Sequence, residues 1–263
     1  MTAFRPLALF LCLAVIISAV HGADTADFQP VTCEGSYPLH LQGICSNQKD
    51  ALYWSWTDTL VRTDLAGKVQ AKRAVASHHG DLCHHQDRVY VAVNLGKFNQ
   101  PPGKEDSWVY VYDAVTLDEV AKHRVPELVH GAGGMAWHDG KFMIIGGLPD
   151  GVTENYVYEY DEGFHFVKRH VLASGPTHKG IQTIAWAQGA WWFGCYGKPA
   201  ILLRADAQLQ FAGRWEFNAS YGIEALDNER ILLAFNKAAK GKGNTGNIVF
   251  AKPDEAKGLS VTP

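Results

Sequence analysis

The chain of 263 residues is poor in methionine, with 3, and in cysteine, with 5, and it has no Cys-x-x-Cys pair. That last absence excludes a zinc ribbon. Neither sign of charge dominates: 24 Lys and Arg against 27 Asp and Glu leave a net charge of -3, which excludes a polybasic nucleic-acid binder. There is no Gly-x-Ser-x-Gly elbow, phosphate-binding Gly-rich loop, dinucleotide fingerprint or His-Glu-x-x-His pair, so the commonest hydrolase, nucleotide and zinc-protease signatures are missing. Long apolar runs are missing too, except one over residues 7–20. It follows Arg5, is about fourteen residues long against the ~20 of a spanning helix, and leads to the small residues Gly22 and Ala23. This is the pattern of a secretory signal. The expectation is therefore a signal segment over 1–22, a single domain over 23–263, and a secreted or periplasmic protein with no membrane span. Cys12 leaves with the signal, and the remaining Cys33, Cys45, Cys83 and Cys195 permit two bridges in an oxidising compartment, with three connectivities.

Glycine and aromatic residues are plentiful, with 26 Gly, 8 Trp, 10 Tyr and 12 Phe, a mixture that suits short strands joined by turns. A repeat organises them. Ile44 is followed eight residues later by Leu52-Tyr53-Trp54, Leu82 by Tyr90-Val91, Met135 by Met143-Ile144-Ile145, Ile184 by Trp192-Phe193, and Ile223 by Ile231-Leu232-Leu233. These anchors lie 38, 53, 49 and 39 residues apart. Behind each of the first four pairs come two further strands around an Asp-containing turn: 59–63 and 69–76 around Asp64, 108–112 and 120–125 around Asp113, 156–160 and 165–171 around Asp161, 200–204 and 211–217 around Asp206. Four antiparallel strands, five times over, predict an all-β fold, a five-bladed β-propeller. After 248–251 the tail 258–263 reads as a poor outer strand, so residues 28–33 are expected to supply the missing strand of blade five and close the ring.

Blade one carries a resemblance. His40-Leu41-Gln42-Gly43-Ile44, Leu52-Tyr53-Trp54 and Thr63-Asp64-Leu65-Ala66-Gly67-Lys68-Val69 resemble the opening blade of plant and bacterial glutaminyl cyclases, which are secreted five-bladed propellers with a similar QGL…LY…VDL…GKV pattern. The resemblance implies the fold. That family's later blades place glutamates at the inner-strand starts, where this chain has Gly133-Gly134-Met135 and Gln182-Thr183-Ile184, and only blade five keeps a carboxylate nearby, Glu224. A glutaminyl-cyclase-like acyltransferase is thus the third of three readings.

The histidines supply the first. His40, His78, His79, His130 and His178 all lie three to six residues before a blade anchor, so four of five blades aim an imidazole at one end of the central channel; blade five has Tyr221 there. Converging neutral imidazoles suit a divalent metal such as zinc or manganese. The expected ligands are His40, His79, His130 and His178 with Gln42, and Tyr221 or Glu224 would serve as base or acid. Oligogalacturonate lyases, propellers of another blade number, offer a similar His-and-Gln metal centre on this face, an analogy of site type alone. Long connections over 94–107, 146–155 and 236–247 should rim the same mouth. Lys97, Lys104, Lys198 and Lys237 would attract an anionic ligand there, while Trp56 and Tyr196 would reach the rim to stack on a sugar. This gives a metal-dependent lyase or hydrolase acting on an anionic oligosaccharide. The second reading is a non-catalytic ligand-binding propeller, monomeric, in which the histidines hold turns by hydrogen bonds.

Overall fold

A computed structural model describes residues 29–262; the expected signal segment lies outside them. A two-residue strand, β1 (Val31–Thr32), precedes blade one, which is β2 (Leu41–Ser46), β3 (Leu52–Trp56), β4 (Thr59–Thr63) and β5 (Val69–Ala74). Blade two is β6 (His79–His85), β7 (Arg88–Asn94), β8 (Ser107–Asp113) and β9 (Glu119–Arg124). Blade three is β10 (Ala132–His138), β11 (Lys141–Gly146), β12 (Asn155–Tyr160) and β13 (Phe166–Leu172), and blade four is β14 (His178–Ala187), β15 (Ala190–Tyr196), β16 (Ile201–Ala205) and β17 (Phe211–Glu216). Blade five is β18 (Ile223–Ala225), β19 (Ile231–Ala239), β20 (Gly243–Asp254) and β21 (Gly258–Thr262). Each blade is an antiparallel sheet. The inner strands touch in the cycle β2, β6, β10, β14, β18 and back to β2, so the five sheets form a ring. Among the described residues no helix is long and apolar enough to cross a membrane.

The repeat predicted from spacing is the repeat observed. Each anchor pairs with the second strand of its blade, Ile44 with Trp54, Leu82 with Val91, Met135 with Ile144, Ile184 with Phe193 and Ile223 with Leu233. All five anchors are buried. Alternate faces of every inner pair pack against the neighbouring blade, giving five apolar clusters, one at each blade junction, rather than one central core. The four cysteines divide among these clusters, all buried and all free, so the permitted bridges do not form. The outer turns share one device: the Asp Oδ1 of Asp64, Asp113, Asp161 and Asp206 accepts backbone N–H groups two to four residues ahead.

Two expectations about blade five change. Asp254 makes the same turn, accepting from the N–H groups of Ala256 and Lys257, and 258–262 is a genuine outer strand paired with residues 250–254 of β20. The N-terminal β1 also joins β20, at Ile248 and Asn247, so both ends of the described chain share one edge. The connection expected over 236–247 is mostly a β19–β20 hairpin extension, with Asn236 opposite Gly246 and Ala239 opposite Gly243.

The channel does not run clear through the ring. Asp81 of β6 is 1% exposed and sits across the axis, its Oδ2 accepting from the N–H of Ile184 on β14 at 3.1 Å, with the amides of Ile44 and Leu82 beside it. Blades one and three make room with glycine. A Cβ on Gly43 would press on the Asp81 carboxylate and come within 2.5 Å of its Cα, and one on Gly134 would reach 2.8 Å from its Cβ. Burial pushes the Asp81 carboxyl well above the usual range, its backbone hydrogen bonds opposing the shift. Two separate recesses result: an upper mouth at the inner-strand starts and a lower mouth at their ends.

Candidate functional site at the upper mouth

The upper mouth holds a cavity of 200 Å³ whose polar walls are His40, Gln42, His78, Asn99, Lys179, Gln182 and Tyr196. Blade one contributes the centre of the network. The buried Gln42 amide nitrogen lies 3.0 Å from Nε2 of both His40 and His78 and 2.9 Å from Thr57 Oγ1. The Tyr196 hydroxyl lies 3.1 Å from His40 Nε2. An amide has two protons, so with Tyr196 donating to His40, Gln42 donates to Thr57 and His78. Burial lowers the basicity of both imidazoles, that of His78 to about 4, with the nearby Lys179 ammonium acting in the same direction on His40. Both rings are therefore neutral at physiological pH, and burial pushes the Tyr196 phenol up, leaving it protonated.

A loop of blade two forms the apolar side. Phe98 sets its ring edge-on to His78, with centroids 5.0 Å apart. Asn99 anchors the loop on blade three, its N–H donating to the His130 carbonyl at 3.1 Å and its Oδ1 accepting from Leu148 N–H at 3.1 Å. Gly131 permits this approach: its φ is +98°, and a Cβ there would lie 2.6 Å from Phe98 Cδ1.

The residues expected here divide sharply. His40, Gln42 and Tyr196 meet, and Tyr221 stands beside them, its ring centroid 6.4 Å from His40 and 6.0 Å from Tyr196. His79 does not. It is fully buried on the opposite side of β6, with Nδ1 2.6 Å from the Ala76 carbonyl and Nε2 2.7 Å from the Tyr112 hydroxyl, so no ring nitrogen is left for a metal. Its neighbour His78 takes the place intended for it. His130 places Nδ1 2.9 Å from the Gln100 carbonyl and serves to hold the loop, and His178 is exposed outside the cavity. Glu224 follows rather than precedes its anchor and lines the lower mouth. Trp56, expected at the rim, is fully buried and stacked on Tyr37 at 4.1 Å. Lys97, Lys104, Lys198 and Lys237 are exposed and none lines the cavity; Lys179 is the cation that does.

A divalent metal needs at least three deprotonated donors at one point. Among the described residues no three His, Cys, Asp or Glu side chains converge in that way, and the expected set is split among a buried structural histidine, a loop tie and an exposed ring. These residues do not fit the metal.

No protein-family model matches the chain, and no curated protein matches it. Solved structures do. The Dos1 propeller is 11% identical over 78% of this chain, with a TM-score of 0.44, and this chain spans 57% of that one. The computationally designed Ika4 protein is 14% identical over 67% of this chain and 96% of its own, with a TM-score of 0.40. The WD40 repeats of RRP9 are 9% identical over 88% of this chain and 82% of theirs, with a TM-score of 0.52. At that identity the likeness to the RRP9 repeats shows one thing, the β-propeller fold, which the blade geometry shows independently.

Proposed function

We propose that this chain is a non-catalytic binding propeller whose upper mouth takes a small anionic group, a carboxylate, sulfate or phosphate. The observation that carries the reading is the pairing of Lys179 with a neutral, hydrogen-bonding His40–Gln42–His78 network around one 200 Å³ cavity. Among the described residues no acidic side chain forms an ion pair with Lys179, so an anion entering the cavity meets an unneutralised ammonium. Phe98 and Tyr196 add apolar surface of the kind that packs on a small ring.

Isothermal titration with galacturonate, sulfate and phosphate tests the reading. At least one of them should bind saturably, and Lys179→Ala should weaken it about tenfold, the worth of one charge-assisted hydrogen bond. Absence of binding for all three, or an unaffected Lys179→Ala variant, overturns it. The rival metal-dependent lyase or hydrolase would regain its footing if protein purified without chelator or His tag carried stoichiometric zinc or manganese by plasma mass spectrometry.

A further inference from the structure

The lower mouth is a second, larger recess of 380 Å³ on the far side of Asp81. Its walls are the ends of inner strands and the turns that follow them, and no lysine or arginine lines it. One carboxylate does, Glu224 of β18, which accepts the backbone N–H of Ser46 across the junction between blades five and one. Glu224 forms no ion pair among the described residues. Around it stand π-rich walls: His85 stacks on Trp137 at 3.8 Å and His138 on Trp186 at 4.2 Å.

We infer that the lower mouth is a binding site for an alkylammonium head group, with Glu224 as its counter-ion and Trp137 and Trp186 as its cation–π walls. A cation entering here gains on both counts: a carboxyl group with no cationic partner, and indole rings lining the same recess. An anion would find no lysine or arginine here, so the two mouths favour opposite charges. The inference does not depend on what the upper mouth binds.

Proton linkage follows from the setting of Glu224. Burial pushes its carboxyl up to about 8. The titratable groups facing it are Cys45 on β2 and Asp81 and Cys83 on β6, all acids whose own burial holds them protonated. Around the rim burial also lowers the basicity of His84 and His138, while Lys49 and Asp87 lie beside His84 off the cavity lining and Glu162 lies 3.6 Å from His85. At neutral pH a bound ammonium therefore draws the proton off Glu224 to the buffer, leaving carboxylate against cation.

The probe is choline, titrated calorimetrically into the wild-type protein in two buffers of different ionisation enthalpy. Saturable binding is expected, with about one proton released near pH 7 and almost none near pH 9. The affinity should be about tenfold higher at the alkaline pH. The neutral isostere dimethylbutanol should bind at least tenfold more weakly. Glu224→Gln, which keeps shape and the Ser46 hydrogen bond, should lose about tenfold in choline affinity and all of the proton release. No saturable heat at either pH, equal binding of the isostere, or proton-free binding that survives in Glu224→Gln each overturns the inference. The proton count on wild-type protein keeps the test decisive should the variant fold poorly.

Discussion

His78 stands just before β6 and His79 is its first residue, and the two neighbouring rings go to opposite sides. Spacing alone places both beside the mouth, yet one ring enters the cavity and the other is sealed against Tyr112. Choosing between them requires the irregular register of β6 between His79 and Leu82, which no spacing rule encodes. The same limit applies to Glu224, one residue past its anchor and hence on the other recess. His40, Gln42 and Tyr196 were legible because their offsets from the blade anchors put them at the inner-strand start and the second-strand end that frame the mouth. Lys179 and Phe98 were not, since an exposed lysine and a loop aromatic give no periodic signal. A pH effect belongs to this scale. The folded protein holds His78 at about 4 against an ordinary 6.5, so unfolding takes up a proton in between. The stability difference between wild type and His78→Asn should therefore be constant above pH 6.5 and shrink as pH falls toward 4. Urea titrations across that window measure it; a difference growing toward acid would refute the assignment.

At the scale of the strand, each inner element must satisfy its own blade and leave space at the axis. β2 does this with Gly43, opposite the Asp81 carboxylate. Replacing it with alanine forces a methyl against Asp81 in a site with no room to relax, and overpacking of this kind costs about 1–3 kcal/mol. Gly43→Ala should lower the urea midpoint accordingly with the slope unchanged, and an unaltered midpoint would show that the axis is looser than the glycine geometry implies. Outer elements were the most readable in sequence. The Asp-turn signature gave four hairpins their positions; the fifth, at Asp254, directly follows Pro253, a residue that ordinarily argues against a strand. In the fold Pro253 lies one residue from the end of β20, where the missing N–H costs least.

For the whole molecule, stability comes from five blade junctions of similar construction, and the ring needs all of them. The two ends of the chain meet within blade five, on the outer edge of β20. Thr262 stands opposite Phe250 of β20 and Val31 opposite Ile248, so only Val249 separates their places on the ladder, and β21 and β1 run in the same direction. Together they amount to one outer strand with a nick in it. In covalent terms the ring is a circle cut at an arbitrary point, and the cut can be moved. A circular permutant that joins Thr262 to the residues just before Val31 and opens the chain between Asp150 and Gly151, both exposed, should fold with stability within about 1 kcal/mol of the parent ring. Thermal melting of the two forms would decide it, and a permutant that fails to fold would mean that the break beside β20 is itself a requirement of assembly.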